Sequence, residues 1–309
     1  MQALLDVIVP VFLVIGAGAF CAWRGLFGQN AVDGLMLFAQ SIAVPALLFR
    51  AISSLHLGEH FDPFILISFY SGSISCFTLG MLTARFIFDR DWEDSVAIGF
   101  TCLFANSLLL GLAITDRAYG ADALQGNYLI IALHSPICYT IGITAMEIAR
   151  ARGTAATALP AKVLSAILRN TLVIAIALGA LVNLSGLHLP DPATEALDML
   201  AGTALPAALF AMGGVLLRYR PQADGRIIAF VCFVTLGLHP AITWSIGSLT
   251  GISTPAFRSA VLTAAMAPGI NAYIFANMYG RARKIAASSV LIATMISIIT
   301  AWAWLEILP

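Results

Sequence analysis

The 309-residue chain is 60% hydrophobic and 10% charged, with a formal net charge of zero and a mean hydropathy of +0.92. Soluble domains carry roughly 25% charged residues, so the composition excludes an ordinary water-soluble fold and calls for an all-α polytopic protein in a lipid bilayer. The 16 Lys and Arg residues are spread over many short loops, which excludes a nucleic-acid partner.

The first apolar run, within MQALLDVIVP, lacks a basic leader and carries Asp6, so it is expected to remain as a helix rather than be cleaved. Crossing the hydrocarbon core takes about 20 residues at a rise of about 1.5 Å each. Segmenting at clusters of charge, glycine and proline gives ten expected spans: 3–23, 31–55, 62–88, 94–116, 123–149, 163–186, 193–217, 224–249, 256–279 and 284–305. The short connections leave no room for a separate soluble domain. Cys21, Cys76, Cys102, Cys138 and Cys232 fall in separate apolar runs with neither CxxC nor Cys/His ligand spacing, so no disulfide framework, metal site or cofactor is expected.

Lys and Arg favour cytoplasmic loops. Thirteen of the sixteen lie around the connections after spans 1, 3, 5, 7 and 9; the other three are Arg50, Arg117 and Arg258. This asymmetry favours ten spans in the inner (plasma) membrane, both termini on the periplasmic side and a cytoplasmic connection between spans 5 and 6.

That connection, residues 150–162, separates two halves, 1–149 and 163–309, that resemble each other. SIAVPALLF through Pro45 in span 2 matches GTALPAALF through Pro206 in span 7 at an offset of 161. The stretch from Ala105 to Tyr119-Gly120 in span 4 matches that from Ala267 to Tyr279-Gly280 in span 9 at an offset of about 160. Five spans per half, an odd number, invert the second half relative to the first. Many secondary transporters are built on such inverted repeats, and channels use the plan too.

Inverted-repeat carriers bind substrate near the midplane, where broken helices expose backbone groups and helix dipoles. Span 9 holds Ala267-Pro268-Gly269-Ile270-Asn271, in which proline removes a donor and glycine admits unusual dihedrals. Span 4 holds Asn106-Ser107, with Gly111, in the matching place. An asparagine beside freed amides at a half-helix N-terminus can hold a carboxylate. On the plainer reading, Asn106 and Asn271 only hydrogen-bond across helices and Pro268-Gly269 only kinks one; the matched placement favours a site. Pro45 and Pro206 are expected to shape spans 2 and 7 beside it. His134 and His239 fall mid-span and are the candidates for proton coupling, against the simpler role of neutral histidines bonded within the bundle. His134 shares a region with Ser135, Pro136 and Tyr139 and is the stronger of the two. Asp6, Glu147 and Arg50 lie toward span ends and read as surface anchors.

These stretches resemble the auxin efflux carrier family, which includes plant PIN proteins and bacterial permeases proposed for malonate, malate and related acids. The resemblance spans nearly the whole chain. It rests on VPALLFRAIS (Val44 to Ser53), ANSLLLGLAITDRAYG (Ala105 to Gly120), CYTIGITAME (Cys138 to Glu147) and APGINAYIFANMYG (Ala267 to Gly280). It implies a ten-helix fold like that of sodium/bile-acid symporters and NhaA, with helices 4 and 9 unwound and crossing. It also implies an elevator movement of the crossover-bearing domain against a scaffold that often forms a homodimer. By the same resemblance Asn106 contacts a substrate carboxylate, Ser135 and Tyr139 line the pocket, and Gly269 and Ile270 belong to the crossover. Ala105 and Ala113 stand where such sequences usually carry proline, so a shallower break is expected in span 4. The long central loop of many plant members is absent.

The expected function is secondary transport of a small organic anion, a carboxylate. No Lys or Arg is placed at mid-span to pair a second carboxylate, which favours a monoanion or an amphipathic acid. No Asp or Glu lies between Ala97 and Ile114 or between Val261 and Ala276, so uniport or proton coupling is expected ahead of sodium coupling. An anion channel or uniport facilitator is the alternative. An enzyme is not expected, since neither HExxH nor GxSG occurs.

Overall fold

The computed structural model describes residues 2, 4–54, 63–150, 171–187, 189–219 and 224–309. Among them the structure is helical, apart from one isolated antiparallel bridge between Ala105 and Pro268. In chain order the helices are α1 (Leu4–Trp23), α2 (Gln29–Ser53), α3 (Phe64–Phe86), α4 (Trp92–Leu103), α5 (107–119), α6 (Gln125–Arg150), α7 (Thr171–Ser185), α8 (Asp191–Leu216), α9 (Gly225–Thr250), α10 (Thr254–Ala264), α11 (Ile270–Tyr279) and α12 (Arg283–Ile307). Seven of these, α1, α2, α3, α6, α8, α9 and α12, are long and apolar enough to cross a membrane. The segments 94–116 and 256–279 are each divided between two short helices. Of the segment 163–186, α7 is the described helix, and the connection 150–162 lies beyond Arg150 outside the described residues.

Proline explains several irregular turns. Lacking an N–H, it deprives the carbonyl four residues earlier of its helical partner. The helix widens into a π turn, and a donor arrives from elsewhere. Before Pro10, Leu4–Ile8 is π-helical and the Asp6 carbonyl accepts from Arg117 Nη2 at 2.7 Å. Before Pro240, Val234–Leu238 is π-helical and the Leu236 carbonyl accepts from Trp304 Nε1 at 3.0 Å. Ala39–Ala43, ahead of Pro45, forms a third such turn. Pro206, by contrast, sits inside α8 without interrupting it.

The chain forms two compact units, each drawing helices from both halves of the sequence. One comprises Met1–Val9, Asp62–Val163 and Tyr219–Pro309; the other comprises Pro10–Phe61 and Leu164–Arg218.

The smaller unit holds most of α1 with α2, α7 and α8. Glycines let its backbones touch, as in tightly packed membrane helices. A Cβ at Gly18 would run into the Phe210 carbonyl, and one at Gly213 into that of Ile15. Arg50 pairs with Asp198 and Arg218 with Asp33, both at 2.7 Å. Asn183 Nδ2 donates to the carbonyls of Ile52 and Ser53, each at 3.1 Å, closing the C-terminus of α2. Leu13, Leu181 and Met199 stand exposed, as suits a surface whose solvent is lipid.

The larger unit holds α3 to α6 and α9 to α12. A Cβ at Gly99 of α4 would lie 2.8 Å from the Phe77 carbonyl oxygen of α3, so glycine sets that close approach. Charge fixes the N-terminal end of α4. The Asp91 side chain caps it by accepting from Asp94 N at 2.7 Å. Glu93 accepts from Arg281 Nε at 2.9 Å and Arg150 Nε at 3.1 Å, and Asp94 accepts from Ala282 N at 3.1 Å. The Arg281 hydrogen bond first, then that of Arg150, holds the Glu93 carboxyl below its ordinary 4.5. A carboxylate depressed in the folded state stabilises fully above its ordinary value, and that contribution fades as pH falls through the depressed one. As pH falls below the ordinary 4.5 and through the depressed value, the native protein should therefore lose thermal stability more steeply than Glu93→Gln. Parallel melting curves in detergent would contradict the assignment.

Candidate substrate site

Helix α4 is buried from Ser95 to Leu103 and then stops. Phe104 leaves the helix at ψ 87° and Asn106 turns at ψ 60°. The Asn106 side-chain oxygen accepts from Leu109 N at 3.2 Å, capping the π turn Ser107–Gly111 that opens α5. Its backbone carbonyl accepts from Gly111 N at 3.0 Å. In the partner break α10 ends at Ala264, Pro268 contributes no N–H, and Gly269 caps the start of α11. The two unwound stretches run antiparallel. Asn106 N donates to the Ala267 carbonyl and Gly269 N to that of Phe104, both at 2.8 Å. Each break thus satisfies backbone groups that the other exposes, which hydrocarbon could not do. The Ala105 carbonyl lies 3.1 Å from His134 Nε2, a contact that requires the ring proton on that nitrogen.

Two expectations are corrected here. The break in span 4 is complete although Ala105 and Ala113 replace proline, because the Asn106 cap, His134 and the 267–269 backbone supply the missing partners. Gly269 has φ −73° and ψ 162°, extended backbone open to any residue, and a Cβ there would lie 3.4 Å from the Phe104 ring. Its role is not an unusual dihedral. Gly111 is helical as well, at φ −58°.

Around the crossing, Phe100 and Phe275 stack with ring centroids 3.9 Å apart, and Phe104 meets the His134 ring edge-on at 4.5 Å. Tyr139 OH donates to Asn271 Oδ1 at 3.3 Å. Asn106, Ser107, Pro268 and Gly269 are buried, whereas Ser135, Tyr139, Ile270 and Asn271 are half-buried. The structure does not bring His239 to the crossing. Its Nε2 lies 3.1 Å from Ser73 Oγ and 3.4 Å from the Phe69 carbonyl oxygen. Pro45 and Pro206 belong to the smaller unit. Among the described residues no three His, Cys, Asp or Glu side chains gather to hold a metal.

Sequence reasoning missed a polar tie beside the crossing. Asn127 Nδ2 donates to Thr263 Oγ1 at 2.9 Å and Thr115 Oγ1 at 3.2 Å, joining α6 to α10 and α5, with all three residues fully buried. Asn127 stands near the start of its span and reads there as an interfacial residue; threonines at matching depth in two broken spans were the available signal. Asn127→Ala removes a donor shared by two buried hydroxyls, so thermal stability in detergent should fall by about 1–3 kcal/mol. An unchanged melting temperature would show that the tie carries no load.

The half-helices α5 and α11 both begin at the crossing, and helix N-termini carry partial positive charge. With no Asp or Glu between residues 97 and 114 or 261 and 276, the arrangement suits an anion. The sequence matches a family model described as "Membrane transport protein" over residues 3–305. It is also 24% identical over 302 residues to a protein of Rhizobium meliloti (strain 1021) called "Putative malonate transporter", spanning 97% of this chain and 94% of that one. With apolar helices along its length and the family match from end to end, this multi-pass membrane protein belongs to the membrane transport protein family, the auxin efflux carriers that its motifs resemble.

Proposed function

We propose that the chain is a secondary transporter of a small carboxylate and that the crossing of residues 104–106 with 267–269 is its binding site. The observation that carries this reading is the meeting of two half-helix N-termini with Asn106, in two segments, 97–114 and 261–276, that hold no Asp or Glu. The carboxylate would lie toward the half-buried Ser135, Tyr139, Ile270 and Asn271, with Ser107 at the first turn of α5. Ten spans in two inverted repeats, termini outside, remain our reading of the topology, supported by the charge asymmetry and by the two matched breaks crossing each other. An elevator movement is supported by the larger unit containing the whole crossing; the smaller unit would serve as the scaffold and the seat of a homodimer. Proton coupling, in this scheme, runs through His134, whose ring bonds the crossover carbonyl.

Malonate heads the panel to be tested, because the relative's name carries it; the absence of a cation in the crossover segments favours its singly charged form and monocarboxylates. Reconstituted protein should take up at least one labelled acid with saturation and show counterflow when loaded with unlabelled acid. Flux that rises linearly with concentration, without counterflow, would mark a channel instead. Stimulation by an imposed pH gradient, absent in His134→Gln, is the result expected for coupling at that ring.

A further inference from the structure

The membrane-spanning helix α3 ends in Arg85-Phe86, and a tight turn follows. Phe88 N donates to the Thr83 carbonyl at 3.1 Å and Arg90 N to that of Ala84 at 3.0 Å, with Asp89 in the left-handed region at φ 51°. The turn folds Arg90 back onto Arg85, whose Nη1 donates to the Arg90 carbonyl at 3.3 Å. The Nε of each arginine is enclosed by protein and has no acceptor. Arg50, Arg150, Arg218 and Arg281, by contrast, each bond a carboxylate. Of the nearby acids, Asp91 is engaged by Arg281 at 3.1 Å, and Asp89 satisfies neither Nε.

Two arginines on one turn, each with an Nε that finds no acceptor and neither with a carboxylate partner among the described residues, suit an anion bearing several acceptor oxygens at their guanidinium ends. The surroundings point to where that anion comes from. Phe86 and Ile87 are 67% and 69% exposed and Trp92 44%. The Arg85 guanidinium lies 6.0 Å from the Phe86 ring centroid and 5.6 Å from that of Trp92. Exposed aromatic rings beside arginine at the end of a spanning helix belong in the headgroup layer, with apolar surface left for acyl chains. We propose that Arg85 and Arg90 bind the phosphate of an anionic phospholipid, with Phe86, Ile87 and Trp92 against its chains.

Native mass spectrometry of the detergent-purified protein, given phosphatidylglycerol or phosphatidylcholine, tests this. The native protein should retain phosphatidylglycerol in preference to phosphatidylcholine. Each arginine near a membrane surface contributes about fivefold, so R85Q/R90Q should weaken phosphatidylglycerol retention by about 30-fold. R90Q alone, about fivefold weaker, serves where gel filtration shows the double variant aggregated. Equal retention of the two lipids, or retention unchanged in the variants, would overturn the proposal. So would displacement of the lipid by millimolar inorganic phosphate, which would mark a free-anion site.

Discussion

Gly213→Leu is expected to destroy the packing of α1 against α8, lowering stability by about 3 kcal/mol or preventing a monodisperse preparation, at the upper end of overpacking costs. The first added carbon already enters the Ile15 carbonyl, and a backbone cannot swing aside as a side chain can. Gly18→Leu should do the same from the other helix, where the Phe210 backbone blocks it. Gly202 of α8 and Gly16 of α1 have nothing within 4 Å of a Cβ, so leucine at either should be tolerated. Melting temperatures of the four variants decide the matter; similar losses at all four positions would show that helix propensity or expression, not the close approach, sets the cost.

Asn106→Ala should lower affinity for the transported acid about 10- to 100-fold, the range for a lost hydrogen bond to a charged group of about 1.5–3 kcal/mol. Its effect on stability should be smaller, about 1 kcal/mol for the lost cap of Leu109 N. Asn106→Ser separates the two roles. Serine can still cap the turn but lacks the carboxamide, so it should restore melting temperature more than uptake. If Asn106→Ala reduced uptake only in proportion to folded protein, Asn106 would be a cap and nothing more.

How far each feature was legible depended on how local its cause was. The ends of α1, α3, α6 and α12 follow hydropathy and flanking charge, and the expected limits of 3–23, 62–88, 123–149 and 284–305 differ from Leu4–Trp23, Phe64–Phe86, Gln125–Arg150 and Arg283–Ile307 by two residues at most. The break at 268–269 is also local, since Pro268 cannot continue a ladder of N–H bonds. The break at 104–106 is not. Its partners, the Ala267 carbonyl and the His134 ring, arrive from other elements, so counting prolines in span 4 underestimated it. The Asn127 tie was hidden for the same reason, since neither Thr115 nor Thr263 is near it in sequence. Nor could a linear reading of the halves 1–149 and 163–309 foresee compact units that interleave segments of both.

The central claim is that the crossing itself holds the substrate carboxylate. A cryo-electron microscopy map of the protein with its transported acid bound tests this most directly. The carboxylate is predicted about 3 Å from the Asn106 side chain or from the first-turn amides of α5 and α11. Density for the acid away from residues 104–107 and 268–271, with the crossing unchanged and empty, would contradict the account.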